Sequence, residues 1–557
     1  MMKVDREPIE VDVLIVGGGI AGLMAAIHAA DQGTRVLIAE KANTRRSGSG
    51  ATGNDHFSCY LPEVHGTDIH PIVLEDIHGM HGIFQDVSMV TTSLSQSFDR
   101  IKDWMNWGIP MKVSGRWEFS GHAFPERPRI VLKYEGSDQK TILTEQAKNR
   151  GVMIENHLSI TDLILKENRV IGAIGIGTRN EEPLVKIFRT KSIVLATGSA
   201  NRLYPAVSPG WMFNTAFCPS DTGSGRAMAY RGGAKLVNME MPNRHAGPKY
   251  LSRAGKATWI GIYTDPWGRP VGPFVTKPNR ELGDITADIW TSVFTDMHRS
   301  GRGPVYMDCT NISNEDLQYM KWGFRHEGLT AMIDYMKTEK IDLRKDRVEF
   351  MQYEPFLVAG RGIEINLKGE TNIEGLFAAG DEVGNFRAGI SGATTFGWIA
   401  GGSAAERAKS VRSFAEAERA SSVQEWTDLF FQLMKRKTGP TWKEANLALQ
   451  QIMADYAGTE VRSETLLKAG LKYLGDLKKK VMETVVAENS HTLMRVLEVL
   501  DLMECGEAIF LTALERKETR GLHRRSDFPF TNPLLQDKFL TIWKESGRVL
   551  IEWREKR

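Results

Sequence analysis

Cysteine is scarce in this sequence of 557 residues. The four cysteines, Cys59, Cys218, Cys309 and Cys505, lie far apart along the chain. Their spacing predicts neither a Cys-x-x-Cys metal site nor an iron–sulfur cluster bound by the chain itself, so we expect no metal site. Dispersed thiols are also typical of the reducing cytoplasm, where we expect the protein to be located.

Long apolar runs and an excess of one charge are missing as well. No uninterrupted apolar span of about 18 residues is present, and no charged-then-apolar leader precedes the first apolar run, so we expect no transmembrane segment. The formal net charge is only +2, which gives no electrostatic basis for binding nucleic acid or an anionic membrane. The length exceeds what one core accommodates, so two or three domains are expected.

The most informative feature that is present is a glycine turn between two apolar runs. The first run ends at Val16, the turn contains Gly17, Gly19 and Gly22, and the second run ends at Glu40. This order predicts the first βαβ unit of a dinucleotide-binding fold. The first glycine permits the tight turn, the second lets the backbone approach a pyrophosphate at the helix N-terminus, and the third allows close helix packing. The acid is placed to accept hydrogen bonds from a ribose.

Two later segments select FAD over NAD as the dinucleotide. Residues 192–198 and residues 375–382 each form an apolar strand that ends in glycine. In two-dinucleotide-type flavoproteins the first such strand returns the chain beside the nucleotide, and the second brings an acid, here Asp381, to the ribityl chain. The presence of all three segments in this order therefore predicts FAD.

With these segments the chain resembles the flavoprotein subunits of the fumarate reductase and succinate dehydrogenase superfamily. Within that group it is most similar to the α subunit of dissimilatory adenylylsulfate reductase. Further support comes from Arg46–Gly53, from Asp221–Gly225 and from the pair Met239-Glu240. The resemblance covers residues from about 10 to 410 and, more loosely, the part that follows.

The resemblance implies an α/β fold, in which a two-dinucleotide-type FAD-binding domain is interrupted by an α+β capping domain and followed by a C-terminal helical domain. The expected bounds are 1–235 and 356–411 for the FAD-binding domain, 236–355 for the cap and 412–557 for the helical domain. Apolar spacing in the last part predicts helices over residues 413–432, 441–455, 463–487 and 492–516. Asn489 or Ser490 can cap the last of these helices.

The FAD is expected to be bound non-covalently. Membrane-bound relatives place a histidine, which bonds covalently to the flavin, where Gly48 stands, and glycine cannot form that bond. The glycine-rich loop around it indicates that backbone groups close over the flavin. The expected cofactor-binding residues are Gly17, Gly19, Gly22, Glu40, Lys41, Ser47, Gly48, Gly53, Ala196, Thr197, Gly198, Asp221, Gly380, Asp381 and Thr394.

The substrate-side residues depart from the dicarboxylate pattern of the superfamily. The resemblance places His245 where relatives carry a substrate histidine. A second family histidine is replaced by Glu354, and the clamp arginine of the late glycine-rich run is replaced by Thr395. Because two carboxylates need several charge-assisted donors, a plain fumarate reductase or succinate dehydrogenase is disfavoured.

At the pocket positions of adenylylsulfate reductase, this sequence keeps positive charge but has different side chains. The resemblance puts Ser58 at that enzyme's pocket asparagine, Lys249 at its arginine and Arg361 at its histidine. Lysine and arginine are not interchangeable at a bidentate anion site. Adenylylsulfate reduction and a divergent paralogue with another substrate therefore both remain open.

These features predict an FAD-dependent oxidoreductase. It would transfer electrons between a small anionic substrate bound over the flavin and a ferredoxin-like iron–sulfur subunit, and it would reach a membrane only through partners. A dicarboxylate enzyme and a non-catalytic flavin-bearing conduit or structural subunit remain as alternatives. The candidate catalytic residues are His245, Lys249, Arg253 and Arg361, of which the first three are candidates for the proton donor.

Overall fold

The computed structural model of the chain describes residues 3–4, 7–77, 85–119, 127–206, 212–251, 259–272, 277–290, 292–387 and 389–557. Its helices are α1 Ile20–Asp31, α2 Pro62–His65, α3 His70–Asp76, α4 Val87–Asn106, α5 Gln139–Asn149, α6 Ser224–Arg231, α7 Thr286–Ile289, α8 Val293–Arg299, α9 Asn314–His326, α10 Thr330–Thr338, α11 Gly389–Ser410, α12 Ser421–Lys435, α13 Trp442–Ala457, α14 Glu464–Thr484 and α15 Ser490–Glu515. Its strands are β1 Lys3–Val4, β2 Ile9–Val16, β3 Val36–Glu40, β4 His56–Ser58, β5 Glu118–Phe119, β6 Val131–Lys133, β7 Met153–Asn156, β8 Leu158–Lys166, β9 Arg169–Gly177, β10 Leu184–Leu195, β11 Leu236–Val237, β12 Ala246–Pro248, β13 Ile262–Thr264, β14 Val305–Asp308, β15 Val348–Gln352, β16 Gly362–Ile363, β17 Leu376–Ala378, β18 Lys538–Glu545 and β19 Arg548–Glu555.

The largest sheet contains the two strands predicted around the glycine turn and the two later strands that end in glycine. Its strands follow the order β7-β3-β2-β10-β9-β8, and β1 and β17 also pair with β10. The pairs β3 with β2, β2 with β10 and β10 with β17 are all parallel. Because the carboxyl ends of parallel strands meet at one edge of a sheet, the glycine turn after β2 lies beside the ends of β10 and β17.

Two helices of small residues pack closely on one another behind this edge. A Cβ atom at Gly397 or Gly401 of α11 would collide with the backbone of Ala21 or Ala25 in α1. Glycine therefore lets the two helix backbones approach each other. The contact brings the first half of α11 against the start of α1, where the glycine turn ends.

The capping part has a hydrophobic core of its own. Strands β12, β15, β14 and β13 form an antiparallel sheet, and helices α8, α9 and α10 contribute to a core whose residues lie between Trp259 and Phe350. The ring of Trp259 is buried in this core against Phe324 and Phe350. The cap is thus a separately packed unit inserted into the FAD-binding part.

The C-terminal part contains the four predicted helices, as α12 to α15. The side chain of Asn489 caps α15 by accepting a hydrogen bond of 2.9 Å from the backbone N–H of Thr492, which confirms the first of the two predicted caps. The chain then forms the hairpin β18–β19, which the sequence analysis does not predict and which pairs with β11. Within the described part of the chain, no helix is both long and apolar enough to cross a membrane.

Candidate functional site

The glycine turn is shaped by close contacts on two sides and open on the third. Gly17 has φ +100°, and a Cβ atom there would collide with the carbonyl oxygen of Ala196 at the end of β10. A Cβ atom at Gly22 would collide with the carbonyl oxygen of Gly17. At Gly19, by contrast, the nearest atom would be 3.9 Å away. The turn therefore leaves open space at the start of α1, where the first N–H groups of the helix favour a phosphate.

Glu40 is bound to the same turn. Its Oε2 accepts a hydrogen bond of 2.7 Å from the N–H of Gly18, and its Oε1 accepts one of 2.6 Å from the N–H of Ala42. Each carboxylate oxygen keeps a second lone pair. The geometry is thus compatible with the predicted hydrogen bonds from a ribose.

A buried lysine that sequence reasoning missed contacts the turn from the opposite side. The Nζ atom of Lys140, on α5, donates a hydrogen bond to the carbonyl oxygen of Gly18. Burial lowers the pKa of Lys140 to about 8, although the carboxylates of Glu40 and Asp221 oppose the change. No motif marks this residue in the sequence, because it lies 122 positions from the glycine that it contacts.

The loop after β3 supplies a hydroxyl without a partner. The Oγ atom of Ser47 is buried and has no hydrogen-bond partner in the described structure. Gly48 has φ +77°, and a Cβ atom there would lie 3.8 Å from the Cα atom of Gly19. The loop therefore lies against the glycine turn, and a ligand at that place would supply the bond that Ser47 lacks.

Two other predicted residues of this region contact different parts of the protein. The Nζ atom of Lys41 donates to the carboxylate of Glu498 on α15 at 2.7 Å and to the carbonyl oxygen of Ser220 at 2.5 Å. A Cβ atom at Gly53 would collide with the carbonyl oxygen of His326, at the end of α9 in the cap. Lys41 thus connects the turn region to the helical domain, and Gly53 permits close approach of the cap.

The two glycine-ended strands are joined through a buried carboxylate. Glu382 accepts hydrogen bonds from the N–H of Thr197 at 2.7 Å and from its hydroxyl at 2.8 Å. Gly198 and Gly380 both adopt positive φ, of +83° and +84°. These contacts bring Ala196, Thr197 and Gly198 together with Gly380 and Asp381.

A buried arginine that sequence reasoning also missed holds three chain segments in place. The guanidinium of Arg226, on α6, donates to the carbonyl oxygens of Gly198 at 2.7 Å, of Arg361 at 2.9 Å and of Asp381. The planar fork of arginine suits several acceptors at once. Arg226 therefore fixes the backbone at both strand ends.

Burial raises the pKa of three carboxyl groups around this point. The pKa of Asp221 is raised to about 7, with Lys41 opposing the change, and that of Asp381 to about 6, with Arg226 opposing it. The pKa of Glu382 is raised to about 7, again against the influence of Arg226. Such perturbed groups gathered at one place are typical of functional sites.

Two threonines of α11 complete this part of the site. Thr394, a predicted cofactor-binding residue, is buried and donates its hydroxyl to the carbonyl oxygen of Ile390 at 2.7 Å. The hydroxyl of Thr395 is buried without a partner in the described structure. Together with Ser47 and the open side of Gly19, it offers FAD unsatisfied polar groups and space, so the residues present fit this cofactor.

The predicted catalytic residues lie in different surroundings. His245 is half-buried beside the rings of Phe217 and Phe356, with ring centroids 5.0 Å and 5.5 Å away. Lys249 forms an ion pair of 2.6 Å with Glu349, and this hydrogen bond raises the pKa of Lys249. Arg253 lies outside the described residues.

Arg361 is buried beside the ends of β10 and β17, to which Arg226 connects it. Its Nε atom donates to the carbonyl oxygen of Met241 at 2.6 Å, and its Nη1 atom donates to that of Ala359 at 3.1 Å. Burial, followed by the positive charge of Arg387, lowers the pKa of Arg361 to about 9. Two guanidinium groups are thus close enough to influence each other.

Short backbone bridges connect the start of the cap to the segment that follows β10. Asn243 bridges to Phe356, and Leu357 bridges to Ala200, two residues after Gly198. His245 lies two residues after Asn243, the first residue of these bridges. The structure thus brings His245 of the cap and Arg361 of the FAD-binding part to the same side as the ends of β10 and β17, whereas Lys249 is paired with Glu349 on β15.

Comparison with known proteins agrees with this geometry. The sequence profile described as FAD binding domain matches residues 12–395, and the profile described as Fumarate reductase flavoprotein C-term matches residues 446–555. One of the subunits of the fumarate reductase (CoM/CoB) of Methanothermobacter marburgensis is 27% identical over 95% of this chain and 96% of its own length. The L-aspartate oxidase of Vibrio cholerae is 24% identical over 95% of this chain and 97% of its own.

A solved structure has the same fold over the whole chain. Adenylylsulfate reductase of Archaeoglobus fulgidus, 22% identical, superposes with a TM-score of 0.81 over 100% of this chain and 96% of its own. The predicted FAD-binding domain and helical C-terminal domain are thereby confirmed. The chain belongs to the FAD-binding family within the fumarate reductase and succinate dehydrogenase flavoprotein superfamily, and it is an FAD-dependent oxidoreductase.

Proposed function

We propose that the protein transfers electrons between a small anionic substrate bound over the flavin and an iron–sulfur partner subunit. The observation that carries the substrate class is the proximity of Arg361 and Arg387. Arg361 is 3% exposed; the charges of Arg387 and Arg226 act to lower its pKa, and the carboxylate of Glu240 acts to raise it. Glu240 is also paired with Arg516, so an anionic substrate would still offset positive charge at this place.

The position of these cations supports a substrate over the flavin. Arg387 and Arg226 also act to lower the pKa of Asp381, at the end of β17. The cations therefore lie beside the strand end that is expected to reach the ribityl chain. FAD would accept or supply an electron pair there, while Arg361 and Arg387 would bind the anion and stabilise negative charge that develops on it.

Among the predicted proton donors, we propose His245. It lies at the start of the cap next to the bridge between Asn243 and Phe356, and imidazole exchanges protons near neutral pH. Lys249 is paired with Glu349, and its side chain is one-third exposed. The hydrogen bond to Glu349 raises the pKa of Lys249, which makes its ammonium group a weaker acid.

An external iron–sulfur subunit is supported by the chain's own cysteines and by its relatives. All four cysteines are free, and Cys59, Cys309 and Cys505 are buried. Burial raises the pKa of these thiols, which disfavours the thiolate form that binds iron. The Methanothermobacter relative is itself one subunit of an enzyme, and a partner subunit could carry the clusters here.

Two observations weigh against a dicarboxylate substrate. Glu354 stands where a family histidine is expected and accepts a hydrogen bond of 2.8 Å from the N–H of Ala216. Thr395 replaces the clamp arginine and is fully buried. A site with an acid in place of one donor and a neutral hydroxyl in place of another would bind a dianion less well.

The test is a titration of the purified holoprotein, followed by flavin absorbance. Sulfite, adenosine monophosphate, fumarate, succinate and L-aspartate are added to the oxidised protein, and the oxidants among them to the photoreduced protein. We expect at least one anion to perturb or reoxidise the flavin, and Arg361→Met to weaken that response at least tenfold while Arg412→Met, at an exposed position, leaves it unchanged. If no anion acts and a reduced ferredoxin alone reduces the flavin, the proposal fails in favour of an electron conduit. Turnover with oxygen and no partner would instead support an oxidase.

A further inference from the structure

The Gly18 residue of the glycine turn is held between two opposite charges. Its N–H donates to Glu40, and its carbonyl oxygen accepts from the Nζ atom of Lys140. The lysine is 2% exposed. A buried, charge-assisted hydrogen bond of this kind fixes the direction of the carbonyl group more firmly than a bond to water would.

The direction of that carbonyl decides where the next N–H points. The peptide between Gly18 and Gly19 is trans, so its C=O and its N–H point in opposite directions. Since the carbonyl points at Lys140, the N–H of Gly19 points away from the lysine. Gly19 also has open space where a Cβ atom would stand, and it directly precedes α1.

The start of α5 also supports the neighbouring loop of the site. Gln139, the residue before Lys140, donates from Nε2 to the carbonyl oxygen of Gly50 at 3.2 Å and accepts at Oε1 from the hydroxyl of Tyr134 at 2.5 Å. Two consecutive residues of one helix therefore contact both the glycine turn and the loop that follows β3.

We propose that Lys140 is a positioning residue for FAD. Its ammonium group orients the Gly18–Gly19 peptide so that the N–H of Gly19 points to the pyrophosphate, and it supplies a buried positive charge across that peptide from the dianion. The inference concerns the cofactor and is independent of the substrate proposed above. It assigns a function to a lysine that no glycine motif contains.

The surrounding charges set the pH dependence. Glu40 on β3 and Asp221 before α6 face Lys140 and oppose the effect of burial, which lowers the pKa of the lysine to about 8. Behind Asp221 lie Lys41 and Asp381. A bound dianion stabilises the protonated lysine, so the protein binds a proton along with FAD once the pH exceeds about 8. The affinity for FAD should therefore fall as the pH rises through this value.

The test is the dissociation constant of FAD, measured by reconstitution of the apoprotein with flavin fluorescence at about pH 6.5 and about pH 9. Loss of one charge-assisted hydrogen bond predicts that Lys140→Met weakens FAD binding roughly ten- to a hundredfold at the lower pH. At the higher pH the wild type should lose up to about tenfold in affinity, because FAD then has to bind together with a proton taken up by a lysine whose pKa is about 8 in the free protein. The matched control is Lys148→Met on the same helix, whose side chain is 46% exposed.

Several outcomes would overturn the proposal. One is wild-type affinity in Lys140→Met, and another is an equal loss at both pH values, which would indicate a packing role. Circular dichroism of the apoprotein checks that the variant folds. If it does not fold, the wild-type protein decides the matter alone, since an affinity for FAD that is independent of pH over this range contradicts the proposal.

Discussion

Replacing Arg226 by methionine should both destabilise the protein and release its flavin. Methionine keeps much of the side chain's apolar volume and removes the guanidinium. The carbonyl oxygens of Gly198, Arg361 and Asp381 then lose their donor. The buried carboxylate of Glu382 loses the cation that opposes its raised pKa.

The magnitude follows from these lost contacts. Each hydrogen bond to a charged donor contributes about 1.5 kcal/mol at the lower end of its range, so three contribute about 4–5 kcal/mol. Glu382 already has a pKa of about 7, and it can take up a proton in the variant, so the loss of its cation adds little more. At about 2 °C per kcal/mol for a large chain, the midpoint of thermal unfolding should fall by roughly 8 °C.

The assay is thermal unfolding followed by circular dichroism, together with the ratio of flavin to protein after gel filtration. Arg226→Lys is the informative companion, because it keeps the charge near Glu382 and cannot reach three carbonyl groups at once; we expect a midpoint between those of the other two proteins. Arg412→Met, at an exposed position, should behave as the wild type. A methionine variant that keeps its full flavin content and unfolds within 1 °C of the wild type would refute the reasoning.

Three further predictions concern other parts of the molecule. Gly475→Ala should stabilise α14 by up to about 1 kcal/mol, because no atom lies within 4 Å of the added Cβ. Gly470→Ala on the same helix should destabilise the protein, because the added Cβ would collide with Tyr456 and Phe510. Chemical denaturation measures both effects. The pKa of Asp221 is about 7 in the folded protein, against an ordinary value of 3.8. The folded apoprotein therefore holds one more proton than the unfolded chain between these pH values, and its stability falls as the pH rises through them. Asp221→Asn should lose less stability than the wild type between pH 5 and 8, which urea midpoints measure. Acid denaturation should release all of the flavin into the supernatant, because Gly48 has no side chain to hold it; flavin retained on the precipitated protein would contradict this.

The features that were predictable from the sequence are mostly local. The glycine turn and Glu40 come together because a strand, a helix and a strand of ordinary length connect them. The cap by Asn489 depends on a contact only three residues away. The hairpin β18–β19 was also predictable in principle, because the Ser546-Gly547 dipeptide is a turn signal. In the structure both residues adopt the positive φ that such a hairpin turn requires. The predicted helix over 413–432 begins too early, because the chain forms a 3₁₀ turn before α12 begins at Ser421.

The features that the sequence does not reveal depend on distant contacts. Lys140 lies 122 positions from Gly18, and Arg226 lies 155 positions from Asp381. No local sequence pattern connects residues so far apart, because it is the tertiary fold that brings them together. The same holds for Lys41, which the sequence places beside the nucleotide and the structure pairs with Glu498 on α15. A charged residue next to a motif can thus serve the interface between domains.

The separate core of the cap affects how such a protein can change over time. Residues from Trp259 to Phe350 pack mainly on one another, so substitutions among them are absorbed within the insert. The turn, the strand ends and Arg226, where we expect the flavin to bind, belong to the other unit. The residues that the cap brings to the substrate can therefore change by mutation with little effect on the FAD-binding part, whereas Arg361 and Arg387, which lie outside the cap, are constrained together with the cofactor platform.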